Sequence, residues 1–405
     1  MTSLSIKQKA QQYVVLTGMA LFIGLLVGAI DMIFGQGLLL IGDFRSQHWP
    51  LILFLALAGL VIVYLYKRFG GKASKGMGLI FDVGHAREEK IPLVLVPLIM
   101  LTTWMSHLFG GSVGREGVAV QIGATLSHRF ARYFQFPDAS RIFLMTGMAA
   151  GFAGLFQTPL AATFFALEVL TVGELQLMAL YPALIASIVA SFTSHALGLE
   201  KFAVPLKETL SWTPETLIKV ALLGLAFGLA GKLFAVSLSW LKKTVAKVLP
   251  NPYIRIAVIG AGLSLVLLTL QLTKIGSYSG LGTNLIDVAF HQGSAQSYDW
   301  ILKLLFTVVT ISAGYQGGEV TPLFAIGATL GVFLAPILGL PVLVVAAIGY
   351  ASVFGSATTT LLAPILIGGE VFGYGNLPFF VIACVIAYCL PKEWSIYSGQ
   401  KVAKK

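Results

Sequence analysis

The feature that most limits how this chain can fold is the recurrence of long apolar runs along its 405 residues. The clearest lie near 10–34, 50–66, 91–110, 142–170, 176–198, 216–240, 254–273, 341–350 and 377–390. A helix needs about 20 apolar residues to cross the hydrocarbon core of a bilayer. Several runs reach that length; others are short and broken by Gly or Pro. Backbone polar groups find no water in lipid, so only helices or a closed barrel can span it. The period-two alternation of a barrel is absent, which leaves a multi-span, all-α membrane protein. A mean hydropathy of +0.87 and a charged fraction of 11% agree with that class and exclude an ordinary soluble domain. The first run is long and no small-residue cleavage site follows a short apolar core, so no cleaved signal peptide is expected.

The net charge of +10 is read first as positive-inside anchoring. Lys7 and Lys9 precede the first run, and Lys67, Arg68, Lys72 and Lys75 follow the second, while the loop between those runs is expected to hold only Arg45. This puts the N-terminus and the 67–90 loop in the cytoplasm, and Lys401, Lys404 and Lys405 put the C-terminus there too. A field that favours anions is the sharper alternative. No basic stripe on a soluble domain supports a nucleic-acid partner. Cys384 and Cys389 lie five apart in an apolar run, so neither a disulfide framework nor a metal site follows, and no cofactor is called for.

Within this apolar chain "GREGVAVQIGATL" (114–126) puts an Arg-Glu pair between glycines. Its ending returns in "GGEVTPLFAIGATL" (317–330), again just after a glutamate, Glu319. The segments that follow also correspond: "AAGFAGLFQTPLAATFFALEV" (149–169) and "ASVFGSATTTLLAPILIGGEV" (351–371) share a Phe at the fourth position and end in Glu-Val. Order and near-constant offset argue for a duplication. A half with an odd number of crossings lies upside down relative to its twin, and sites in such proteins form where Gly- and Pro-broken helices of the two halves meet. Here those segments are 110–126 and 314–330. Close helix packing is the other reading of the glycines.

A helix N-terminus offers free N–H groups and partial positive charge, and glycines let an anion approach. Three loops qualify: "SKGMGLI" (74–80), "GGSVGREGV" (110–118) and "GYQGGEVTP" (314–322). Converging, they would make an anion site without a full cation, weak enough to release its ion. An ionisable residue at membrane depth is a functional candidate. The Glu116 carboxylate can occupy the anion site when charged and leave it with a proton when neutral, which couples the two flows. A structural ion pair with Arg115 or a loop partner is the alternative.

At this point the residues resemble the CLC family of chloride channels and anion/proton exchangers, over nearly the full chain. Gly114–Val118 resembles the family's G-[KR]-E-G-P motif, whose glutamate is the gate. Gly318–Pro322 resembles its G-x-F-x-P motif, and Lys75–Ile80 lies where the family has G-S-G-I-P. Tyr397 falls where the family has its anion-coordinating tyrosine. The departures matter. Met77 replaces a chloride-coordinating serine, Val118 a proline and Val320 a phenylalanine. Glu168-Val169 lacks the second glutamate that relays protons in chloride exchangers, whereas Glu319 and Thr321 appear in the second loop. This pattern is similar to the fluoride/proton antiporter branch. HF has a pKa near those of carboxylic acids, so fluoride can share protons with Glu116 or Glu319.

The resemblance implies a CLC-type inverted repeat of full and partial (re-entrant) helices, about a dozen and a half in all. One membrane transport domain (1–405) would hold repeats at 10–200 and 215–390, a C-terminal segment 391–405 with the tyrosine, and no regulatory domain. It implies a homodimer in the cell (inner) membrane that exports fluoride against protons. Glu116 would gate and carry the proton, Glu319 would assist, and Met77, Gly114, Arg115, Gly117, Val118, Gly318, Val320, Thr321 and Tyr397 would form the anion path. A chloride channel or chloride/proton exchanger is the alternative. An intramembrane enzyme lacks any Gly-x-Ser-x-Gly stretch or His/Glu metal motif. Phe156, Phe324 and Phe354 are read first as core. His107 and His128 are expected at loops or interfaces ahead of a proton-relay role, and Glu168 and Glu370 with helix-cap or loop partners.

Overall fold

A computed structural model describes residues 6–273 and 275–403; Lys404 and Lys405 lie outside the described residues. The first half of the chain carries α1 (Ile6–Gln47), α2 (Leu55–Leu65), α3 (Met77–Gly84), α4 (Leu95–Leu108), α5 (Glu116–Ala131), α6 (Ala139–Phe156), α7 (Pro159–Glu168) and α8 (Leu180–Ala196). The second carries α9 (Pro214–Val248), α10 (Pro252–Leu272), α11 (Thr283–Asp287), α12 (Asp299–Ala313), α13 (Val320–Leu338), α14 (Val342–Thr358), α15 (Leu362–Phe372) and α16 (Leu377–Tyr388). Among the described residues β structure is limited to β1 (Thr171–Val172) paired in parallel with β2 (Lys401–Val402) and one isolated bridge.

Among the described residues seven helical stretches are long and apolar enough to cross a membrane. Others, such as α3 with 8 residues and α7 with 10, are not. The mixture of full and partial helices is what the sequence led us to expect. One boundary differs. Arg45 was expected in a loop, but α1 runs 42 residues, through Gln47. Glycines at 35, 37 and 42 only weaken a helix, whereas Pro50 is the first residue to forbid its continuation. At 1.5 Å per residue α1 is about 60 Å long, roughly twice the hydrocarbon thickness.

The repeated Ile-Gly-Ala-Thr-Leu stretch does the same job twice. A Cβ on Gly123 in α5 would strike the Gly147 carbonyl of α6, and a Cβ on Gly327 in α13 would strike the Gly349 carbonyl of α14. Each glycine lets two backbones touch, where dispersion contacts replace a hydrophobic driving force that lipid does not supply. The halves also cap each other. Glu168, at the end of α7, accepts hydrogen bonds from Leu361 N (2.9 Å), Leu362 N (3.1 Å) and Ala363 N (2.9 Å) at the start of α15. Glu370, near the end of α15, accepts from Leu160 N (3.1 Å) and Ala161 N (2.8 Å) at the start of α7. Orphan N–H groups at a helix start need such acceptors, most of all away from water. The cap role expected of both glutamates is what they perform. His107 lies buried near the end of α4, and His128, in the last turn of α5, bonds Ser140 of α6 (2.8 Å), an interface between helices. Neither helix ends before its histidine, because no Gly or Pro precedes it there.

Candidate functional site

Helices α5 and α13 both begin inside the protein, and their leading loops meet. Gly114 N donates to Gly318 O (2.5 Å) and Gly318 N to Gly114 O (2.7 Å), a two-residue antiparallel bridge between the halves. Only glycine permits this approach. A Cβ on Gly318 would stand 3.0 Å from Gly117 N, and one on Gly114 2.8 Å from the Pro322 ring. Pro322 is tolerated because the first helical turn has no partner for its missing N–H. Past the bridge, Glu116 opens α5 and Val320 opens α13, with Arg115 and Glu319 at the two caps.

Glu116 is 1% exposed. Its Oε2 accepts from Thr321 N (3.0 Å), from Thr321 Oγ1 (2.5 Å) and, at 3.4 Å, from Arg115 N. Arg115 Nε stands 3.6 Å from the other oxygen, Oε1, which has no hydrogen-bond partner among the described residues. A carboxylate from one half thus sits on the helix N-terminus of the other, where an anion would sit. Gly117 gives its carbonyl to Gln121 Nε2 (3.0 Å). Val118 and Val320 are buried beside the knot. Glu319 is half-buried, and its Oε2 lies 3.7 Å from the place a Cβ on Gly117 would take.

Two cavities approach this knot. One, of about 680 Å³, has Arg115, Glu116, Thr321, Phe156 and Tyr350 in its wall. The other, of about 690 Å³, ends at Tyr397 and is rimmed by Lys242, Lys243 and Lys392. Tyr397 is 6% exposed, and its hydroxyl has no hydrogen-bond partner among the described residues. Between the cavities runs a file of aromatic rings. Phe324 stacks on Tyr350 (4.0 Å) and Phe156 (5.2 Å), then meets Phe354 (5.2 Å). Phe354 meets Phe165 (6.1 Å), and Phe165 meets Tyr397 (6.4 Å). Ring edges carry partial positive charge, so such a file can pass near an anion without binding it tightly.

Two of the three glycine loops therefore meet directly. The third joins through a side chain: Gly76, just before Met77, faces the Gln121 carboxamide oxygen. Met77 opens α3 half-buried against the core, and Phe81 in the same helix packs on Tyr397 at 5.3 Å.

A match to the Voltage gated chloride channel family spans residues 58–392. The chain belongs to the CLC family. It is thus an anion transporter and a multi-pass membrane protein. A chloride/fluoride channel protein of Pseudomonas syringae pv. tomato is 36% identical over 94% of this chain and 85% of its own. A solved structure described as a CLC-type fluoride/proton antiporter is 50% identical, covers 99% of this chain and 100% of its own, and superposes with a TM-score of 0.94. A slow cyanobacterial Cl−/H+ antiporter structure shares the fold at 21% identity, 92% and 93% coverage and a TM-score of 0.77.

Three buried charged residues lie outside the sites expected from the sequence. Lys303 in α12 is fully buried, as is Asp31 in α1, whose two oxygens have no hydrogen-bond partner among the described residues. Lys232 in α9 is 2% exposed and donates to Thr359 Oγ1 (3.1 Å) and Trp394 O (2.8 Å), tying the tyrosine-bearing segment to the loop before α15. A signal existed for all three: each is a lone charge inside an apolar helical run.

Proposed function

We propose that this chain is a fluoride/proton antiporter that exports fluoride across the cell membrane. The observation that carries the reading is the Glu116 carboxylate held by the backbone and hydroxyl of Thr321. Seated, it fills the place of the anion. Protonated, it loses the charge that holds it there and swings out, and fluoride takes the Thr321 N–H and O–H. One group thereby alternates proton and anion. Fluoride is small and strongly hydrated, and the Thr321 hydroxyl adds a strong donor to replace lost water. The 50% identity to a structure described as a fluoride/proton antiporter supports the choice of ion.

In this account Gly114, Arg115, Gly117, Val118, Gly318, Val320 and Thr321 shape the anion path on the Glu116 side, and Met77 and Tyr397 shape it on the other. Glu319, beside Gly117, assists the proton. No chemical reaction is catalysed. The repeats extend over 10–200 and 215–390, with the tyrosine in 391–405. The protein works as a homodimer in the inner membrane with both termini in the cytoplasm. In support of that orientation, Arg87 Nη2 in the 67–90 loop reaches Gly399 O (3.5 Å) in the C-terminal segment, so two basic regions share one face.

The test is efflux from proteoliposomes loaded with fluoride or chloride, with external pH recorded. Fluoride efflux with proton uptake and little chloride flux is expected. Chloride flux equal to or faster than fluoride would return the protein to the chloride branch, to which relatives of 26% identity described as voltage-gated ClC-type chloride channels belong.

A further inference from the structure

Among the described residues, Lys303 is a buried amine with no carboxylate beside it. It lies in α12 and is 0% exposed. Its ammonium donates to Gly280 O (2.7 Å), Ser112 Oγ (2.9 Å) and Tyr278 O (3.3 Å), so all three N–H donors are used. Among the described residues no carboxylate stands within ion-pair distance of it. The nearest acid on its own helix, Asp299, is already engaged by the Tyr278 hydroxyl (2.6 Å) and Gln296 N (2.8 Å).

What the ammonium touches is the approach to Glu116. Ser112 belongs to the glycine loop that ends in the Gly114–Gly318 bridge, four residues before Glu116. The same serine is held by α12 at two further points, Thr307 Oγ1 (2.9 Å) and Thr310 Oγ1 (3.3 Å). Gly280 N bonds Gly111 O (3.0 Å), closing the ring. Tyr278 and Gly280 are also wall residues of the cavity that reaches Glu116. Serine and threonine already supply the neutral ties that a loop needs. A buried lysine is costlier than either in a low-dielectric place, so its seat between this loop and the cavity wall calls for a role.

We infer that Lys303 is a positioning residue for the Glu116 gate: its amine fixes the loop that sets where Glu116 returns. The inference rests on the proton-coupled reading above. Strict exchange requires the carboxylate to reseat on Thr321 after each passage. A loosened loop lets anions pass while the carboxylate is away.

The test compares wild type, Lys303→Met, Lys303→Gln, Ser112→Ala and Thr307→Val in proteoliposomes. Fluoride and proton flux are recorded together at several fluoride concentrations on the Glu116 side. In Lys303→Met the proton-to-fluoride flux ratio is expected to fall by about tenfold, the usual size of one lost strong hydrogen bond. Lys303→Gln, which keeps a donor, is expected to regain part of the ratio. A change of turnover alone is what a purely structural lysine would give. A wild-type ratio in Lys303→Met would therefore overturn the inference. Should that variant not survive purification, Ser112→Ala is compared with Thr307→Val, which removes only the neutral tie to the same hydroxyl: equal coupling in the two overturns the inference, and looser coupling in Ser112→Ala supports it. If wild type itself moves fluoride without protons, the functional reading fails, and the inference with it.

Discussion

The shortest contact of Glu116, the proposed gate, is the Thr321 hydroxyl on its Oε2 (2.5 Å), and it invites a single-group deletion. Thr321→Val removes the hydroxyl and keeps the branched shape. The backbone donors, Thr321 N at 3.0 Å and Arg115 N at 3.4 Å, remain. A hydrogen bond to a charged group contributes about 1.5–3 kcal/mol. At about 1.4 kcal/mol per decade, the seated population should fall by at least tenfold relative to the released one. In the proposed cycle fluoride takes the same hydroxyl once the carboxylate leaves, so the two losses offset and the half-saturating fluoride concentration on the Glu116 side should move by less than about tenfold. The proton-to-fluoride ratio should drop with the seated population. Concentration-dependent fluoride uptake into proteoliposomes, with Thr321→Ser as the control that restores the hydroxyl, measures both. A proton-to-fluoride ratio that is unchanged in Thr321→Val, with Thr321→Ser like wild type, would show that the hydroxyl does not hold the carboxylate in its seat, and would refute the reasoning.

Gly318→Ala places a Cβ 3.0 Å from Gly117 N and 3.3 Å from Arg115 N. The bridge must open, so transport should fall at least about tenfold while the protein still purifies; full activity would mean the bridge is dispensable. Glu168→Ala leaves three N–H groups of α15 without their acceptor and should destabilise the protein by about 2 kcal/mol or more. The thermal midpoint of purified protein checks this, and an unchanged midpoint contradicts the cap. His85 lies just past α3, outside the spanning segments. Its Nε2 contacts Leu170 O (3.1 Å) and its Nδ1 faces Arg87 Nη2 (3.3 Å), which fits a neutral ring. Burial, then the charges of Lys401 and Arg87, hold its pKa below the ordinary 6.5. The unfolded chain therefore binds the proton more readily, so stability is full above 6.5 and is lost as pH falls below it. His85→Gln should flatten that decline in a thermal scan against pH; equal slopes would reject the assignment.

Much of this architecture was legible because two different signals agreed. Apolar runs of bilayer length gave the class, and the returning Ile-Gly-Ala-Thr-Leu gave the two halves. Those stretches now appear as Gly123 on Gly147 and Gly327 on Gly349. Glu116 was legible as a lone acid between glycines. Its partner was less so: Thr321 was named for the anion path, but nothing in sequence spacing pairs residues 205 apart. The aromatic file was weighed as core, since Phe324 and Phe354 are indeed fully buried. Only the assembled fold strings those rings between two cavities. Arg45 was misplaced because glycines weaken helices without ending them. Lys303 stands as a lone lysine in "DWILKLLF", costly in lipid, but that stretch alone does not show which distant backbone receives it.

The central claim is that one carboxylate couples proton movement to anion movement. It is tested most directly by imposing a pH gradient across proteoliposomes with equal fluoride on both sides and following fluoride. The account predicts that wild type moves fluoride uphill, driven by protons flowing down their gradient. It predicts that Glu116→Gln, which cannot take up and release the proton, moves none uphill while still passing fluoride downhill. Uphill fluoride movement that survives in Glu116→Gln would contradict the account.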